Sequence, residues 1–247
     1  VFDNLQLAKF GNRTPNLEFE VVKAGTLAPA TKQGTLPSYS SVTEAVYGNG
    51  RYVFVAQNGA PGASGYSTDG INWTTAVLPS GPWRLQWTGS YFVTNLADNR
   101  LAMSVDGVTW TYKTGVPANT VAIRSIGRRL IAIRGGGAAY SDDKGTTWIE
   151  AAWGGASAST TGDFAYGNGV AIITATGSSG WYIAVSKDKG ESWIWTTPAV
   201  AAWGPIVFNG TIFCMLTGTG TQSAISEDGI NWTFGTTPGI ARRVCWT

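Results

Sequence analysis

Short apolar-rich runs recur along most of the chain, some alternating with polar residues as in Arg84-Leu-Gln-Trp-Thr88, others almost wholly apolar as in Leu101-Ala-Met-Ser104. No stretch sustains the period of an amphipathic helix. Between the runs stand Gly48-Asn-Gly50, Gly167-Asn-Gly169 and Asn209-Gly210, pairs that supply the positive φ angles of tight hairpins. The pattern predicts short antiparallel strands throughout. In one stretch, Arg84–Thr88 and Ser90–Asn95 flank a tight turn, Leu101–Ser104 follows a short loop, and Thr109–Lys113 completes the set.

The strands recur in phase. Five segments share the pattern S-x-D-(x)-G-x-x-W: Ser67 to Trp73, Ser104 to Trp110, Ser141 to Trp148, Ser186 to Trp193 and Ser226 to Trp232. A second marker, a large apolar residue before a Gly/Asn turn, recurs at Tyr47, Trp87, Ile126, Tyr166 and Phe208, and again at Trp246. Both markers step by about 40 residues, with one longer step between Trp148 and Trp193. Four short strands per period describe the blade of a β-propeller, and radial repetition protects the sheet edges. A β-sandwich would show irregular spacing and no motif in phase.

The expected fold is therefore all-β: a propeller of four-stranded antiparallel blades. Five complete blades fill residues 42–240, and a partial strand of a further blade lies at 242–247, where Arg243-Val-Cys-Trp-Thr247 repeats Arg84-Leu-Gln-Trp-Thr88. The motif has a local task. Its aspartate accepts turn N–H groups, its glycine takes a conformation closed to other residues, and its tryptophan packs between sheets. Asp69, Trp73, Asp106, Trp110, Asp143, Trp148, Asp188, Trp193, Asp228 and Trp232 are accordingly expected to be architectural.

Composition narrows the chemistry. The 247 residues contain no histidine, which excludes His-based triads, His-ligated zinc and haem, and a histidine general base. Two cysteines, Cys214 and Cys245, cannot form a thiolate cage or a disulfide framework and are expected to be small core residues. A net charge of +2, with no basic cluster beyond Arg128-Arg129 and Arg242-Arg243, gives no reason to expect nucleic acid. No apolar run suits membrane insertion. No cofactor is expected and no metal, because Asp142-Asp143 and Asp98-Asn99 read as solvated turns. The chain starts at Val1 without a signal-peptide pattern, and we expect it to be a piece of a longer polypeptide.

The S-x-D-(x)-G-x-x-W segments resemble the Asp-box, or BNR repeat, of sialidases, sortilin-type receptors, photosystem assembly factors and many bacterial and phage propellers. Three copies lack one residue between Asp and Gly, a variant that family tolerates. The stretch Phe10-Gly-Asn-Arg-Thr-Pro-Asn-Leu-Glu-Phe-Glu-Val21 is similar to a segment of the large tail-tip (host-specificity, baseplate hub) proteins of long-tailed phages and related gene transfer agents. Those proteins commonly have an apolar residue where Thr14 stands. The resemblance implies that residues 1–23 are the end of a preceding hub domain; 24–41, rich in Ala, Thr, Ser, Gly and Pro, read as a linker, and the repeats place the propeller at 42–247. The resemblance also implies a virion (tail-tip) location, assembly in the host cytoplasm, and other tail proteins as partners.

Catalysis is not expected. Outside the repeats and the N-terminal segment, the carboxylates are Glu44, Asp98, Glu150 and Asp163. Glycoside hydrolysis needs two of them facing each other across a cleft, or a tyrosine nucleophile. Glu44 and Tyr47 lie three apart on a strand and point to opposite faces. Arg13-Thr-Pro15 resembles a sialidase arginine motif only in outline. Binding is the better expectation, on the loops opposite the repeated turns. Trp83, Arg84, Asn99, Arg100, Arg134 and Trp203 are the candidates. An exposed indole covers sugar C–H groups, while amides and guanidinium groups bond to hydroxyls or anions. Trp153 and Trp181 are expected to pack. The leading expectation is a receptor- or glycan-binding module; a glycosidase and an architectural spacer are the rivals.

Overall fold

The computed structural model describes residues 42–56, 62–154, 158–177, 180–196, 204–217 and 221–237, and these contain strands and turns but no helix. The expected hub segment, linker and partial last strand lie outside the described residues, as does Cys245.

Five sheets follow one another. Blade one is β1 (Val42–Gly48), β2 (Arg51–Ala56), β3 (Gly62–Ser67) and β4 (Thr74–Leu78). Blade two is β5 (Pro82–Trp87), β6 (Phe92–Leu96), β7 (Leu101–Ser104) and β8 (Thr111–Lys113). Blade three is β9 (Thr120–Ile126), β10 (Arg129–Arg134), β11 (Gly137–Ser141) and β12 (Ile149–Glu150). Blade four is β13 (Ala152–Gly154), β14 (Ala158–Gly167), β15 (Val170–Gly177), β16 (Gly180–Ser186) and β17 (Ser192–Thr196). Blade five is β18 (Ile206–Phe208), β19 (Phe213–Leu216), β20 (Gln222–Ser226) and β21 (Thr233–Thr236). Each is an antiparallel meander in chain order, with one exception. In blade four, β13 adds a fifth strand parallel to β17, with Trp153 beside Trp193. This strand has no counterpart in the four-strand period; the long step from Trp148 to Trp193 is the room it occupies. The described residues form two compact units on either side of the Ala151–Ala152 bond, blades one to three and blades four and five.

The S-x-D-(x)-G-x-x-W segments join strands three and four of every blade, and their hydrogen bonds repeat. In blade one, Ser67 Oγ lies 2.9 Å from Asp69 Oδ1, the Gly70 N–H donates to Ser67 Oγ (2.9 Å), and Asp69 Oδ1 accepts from Ile71 and Asn72 N–H (2.9 and 2.8 Å). Asp228 accepts from Ile230 and Asn231 in the same way, and Asp143 from Thr146 and Thr147. These amides hold the carboxyl groups of Asp69, Asp143 and Asp228 well below the ordinary range. For Asp106 and Asp188 burial pushes upward, but the hydrogen bonds outweigh it and the net direction is again down.

Neighbouring blades interlock through glycine. Gly107 has φ +72°, and a Cβ there would stand 2.3 Å from Cγ2 of Val53 in blade one. Gly145 meets Leu101 of blade two at 2.5 Å, and Gly229 meets Ile172 of blade four at 2.7 Å. The motif glycine is thus demanded twice, by its φ and by the adjoining sheet. The apolar surface so enclosed includes Val53, Val55, Leu85, Phe92 and Leu96 between blades one and two. Full burial of each such side chain contributes about 1.5–3 kcal/mol.

The second marker needs one correction. By strand pairing, Tyr47, Trp87, Tyr166 and Phe208 are equivalent, but their counterpart in blade three is Ser125, not Ile126. The reason is steric. A Cβ on Gly48 would lie 2.3 Å from the Trp87 ring, and one on Gly167 would lie 2.2 Å from the Phe208 ring, so the aromatic seats on a glycine of the preceding blade. Blade two has Thr88 at the glycine position, and blade three answers with the small Ser125.

Candidate binding site opposite the repeated turns

In an antiparallel meander, the turns joining strands one to two and three to four share one end of the sheet. The links between strands two and three, and those between blades, share the other. Trp83, Arg84, Asn99, Arg100 and Arg134 all belong to this second end, within the unit of blades one to three. Trp203 lies outside the described residues.

The first strand of a blade is irregular at this end. In blade two, Pro82 pairs with Leu96 and Leu85 with Thr94, so that both Trp83 and Arg84 stand opposite the single residue Asn95. Blade four repeats the arrangement, with Gly162 and Asp163 opposite Thr174. Blades one and three shift register at the corresponding place, between Val42 and Glu44 and between Ile133 and Arg134. Such a bulge carries an unpaired residue and re-aims side chains. Trp83 is 41% exposed there, whereas Leu85, past the bulge, is buried.

The residue three before the marker is the instructive one. In blade one it is Glu44, whose Oε2 accepts the Leu85 N–H of blade two (2.9 Å). In blade four it is Asp163, whose Oδ2 accepts the equivalent Ile206 N–H of blade five (3.3 Å). Both carboxylates stitch one blade's inner strand to the next. Glu44 also faces Arg124 of blade three, at 3.7 Å, and both side chains are largely buried. Blade two has Arg84 at this position, and a guanidinium cannot accept an N–H. Its link to blade three comes instead from Asn95, whose Nδ2 donates to Thr120 O (2.7 Å). The half-buried Arg84 has neither a hydrogen bond nor an ion pair to the described residues.

The other candidates are engaged locally. Arg100 donates to Asp98 through Nε (2.9 Å) and lies over the Tyr112 ring; the Arg100 side chain in turn keeps the Asp98 carboxyl below its usual range. Asn99 has φ +61° and shapes that turn. Arg134 is paired with Glu150. Trp153 packs as expected, 4.8 Å from Trp195 and 6.0 Å from Trp193 between ring centroids, while Trp181 is 39% exposed. Glu44, Asp98, Glu150 and Asp163 therefore each have a separate partner. Among the described residues no group of three or more His, Cys, Asp or Glu side chains gathers as a metal site. Cys214 is buried in β19, and burial pushes its thiol up to about 11. The stitching role of Glu44, Asp163 and Asn95 is not among the expectations drawn from the sequence. Its signal was present, since both acids stand three residues before a marker aromatic.

No protein-family model matches the chain, and no curated protein is similar to it in sequence. Solved structures do match. A catalytically inactive virginiamycin B lyase from Staphylococcus aureus with quinupristin aligns with TM-score 0.64 at 13% identity, over 80% of this chain and 70% of that one. A YCF48 bound to D1 peptide aligns with TM-score 0.60 at 15% identity, over 80% and 67%. BamB from Moraxella catarrhalis aligns with TM-score 0.54 at 10% identity, over 79% and 64%. At these identities the likeness speaks for fold, and the fold is a β-propeller of antiparallel blades.

Proposed function

We propose that the chain is a non-enzymatic receptor- or glycan-binding propeller of the Asp-box type, carried on a phage tail-tip protein and contributing to host-cell recognition. The observation that carries the binding reading is the bulge of blade two. It places the exposed Trp83 and Arg84, whose side chain has no partner among the described residues, opposite one residue at the end away from the repeated turns. The Asp-box reading is supported by the recurring aspartate–amide geometry of the five turns. The phage reading rests on the Phe10–Val21 resemblance. A glycosidase is disfavoured because Glu44, Asp98 and Glu150 are each turned to a different partner in their own unit. The similar YCF48 structure holds a bound D1 peptide, so a peptide competitor belongs in any binding assay. The test is binding of the whole chain to host cells and to isolated surface polysaccharide. Trp83→Ala is expected to lower binding at least tenfold with the thermal midpoint unchanged. Equal binding by both proteins overturns the assignment of the site.

A further inference from the structure

We infer that the ligand of the Trp83–Arg84 bulge is an anionic saccharide, whose carboxylate or phosphate group meets Arg84 while a pyranose face covers Trp83. The inference rests on the binding reading above and specifies its chemistry. Three observations carry it.

First, the other arginines of blades one to three have partners, save the exposed Arg128 in the turn between β9 and β10, at the opposite end of its blade. Arg100 is held by Asp98, Arg129 by Asp142, Arg134 by Glu150 and the buried Arg124 by Glu44, while Arg51 donates to Asp106 O. Arg84 has none of these, and the carboxylates Glu44 and Asp98 at this end of blades one and two are turned to other groups. Second, the position is one where blades one and four place an acid that joins them to the next blade. Blade two carries the opposite charge there and assigns the joining bond to Asn95. A residue released from architecture and reversed in charge is free to meet an anion, and its planar fork suits a carboxylate or phosphate. Third, the bulge sets Arg84 and Trp83 together opposite one residue, and Trp83 keeps a large apolar surface in solvent. An indole face beside a guanidinium matches a sugar ring that bears an acid group.

The experiment uses the whole chain and four probes: polygalacturonate, its fully methyl-esterified form, a phosphomannan and polyglutamate. Polygalacturonate or the phosphomannan should bind at least tenfold tighter than the neutral ester, which is about 1.4 kcal/mol. Arg84→Gln should erase that gap, and Trp83→Ala should weaken every polysaccharide, both with unchanged unfolding midpoints. Which of the two anionic polymers binds separates carboxylate from phosphate. If the ester binds as tightly as the acid, or the gap survives Arg84→Gln, the anionic assignment is overturned while the saccharide reading stands. If no polysaccharide binds, or polyglutamate binds as well as they do, the saccharide reading falls with it.

Discussion

At the end of each blade where strands three and four meet, one set of hydrogen bonds recurs five times. At the other end, the residue three before the marker is Glu44 in blade one, Arg84 in blade two and Asp163 in blade four. Equal backbone geometry at the first end enforces equal side chains: a carboxylate must accept turn amides, and a glycine must take the positive φ. At the second end the bulge is kept but the task is divided differently among neighbours, which lets the residue type vary. Recurrence marks what the fold requires, and variation on a recurring backbone marks where a further role fits.

The sharpest test of the first end is a pair of substitutions in one motif. Gly70 and Gly107 have φ +71° and +72°, but a Cβ on Gly70 would come no closer than 3.6 Å to its neighbours, against 2.3 Å for Gly107. The left-handed conformation costs either alanine about 1–2 kcal/mol. Forcing a methyl against Val53 adds about 1–3 kcal/mol for Gly107→Ala alone. Denaturant unfolding should therefore rank Gly107→Ala well below Gly70→Ala. Equal losses would mean that the adjoining blade plays no part in the demand for glycine.

Acid should act on the same end. Asp69, Asp106, Asp143, Asp188 and Asp228 are all shifted downward in the folded chain, so the folded state resists protonation more than the unfolded one. Their stabilisation is complete above the unfolded carboxylate value, about 3.9, and is lost as pH falls through the folded values. The thermal midpoint should be level between about pH 5 and 8, where histidine would otherwise titrate, and should drop steeply below about pH 4. Asp69→Asn should blunt that drop. A midpoint that falls instead between pH 5 and 8 would contradict the assignment.

Smallest of all should be the effect at a charge pair of the second end. Glu150 is exposed, and its pairing with Arg134 is worth at most about 1 kcal/mol in water. Glu150→Gln should move the unfolding midpoint barely, and less still at high salt.

The blades were legible because the S-x-D-(x)-G-x-x-W period and the hairpin glycines are local signals, readable without knowing what packs where. Ile126 was misplaced by one residue because the counterpart in blade three is the small polar Ser125, which carries no apolar signal and is identified by its pairing with Leu130. The parallel β13 was hidden because a strand of three residues carries no periodicity; only the long Trp148–Trp193 step hinted at it. At the candidate site, Trp83 and Arg84 were legible as a tryptophan and an arginine in a polar, small-residue setting. Arg100 and Arg134 carried the same signal, and what separates them, Asp98 and Glu150 in reach, is a matter of turn and strand geometry that spacing does not report.

The division of tasks at the residue three before the marker is tested most directly by comparing Glu44→Ala with Arg84→Ala in equilibrium denaturant unfolding. Removing Glu44 leaves the Leu85 N–H without its acceptor and the buried Arg124 without its counter-ion, a loss of about 1–3 kcal/mol. Removing Arg84 breaks no bond to the described residues and should leave stability within about 0.5 kcal/mol of the parent chain. If Arg84→Ala unfolds as easily as Glu44→Ala, the arginine is a stitch like its counterparts, and the separation between architecture and binding at this end of the blades is wrong.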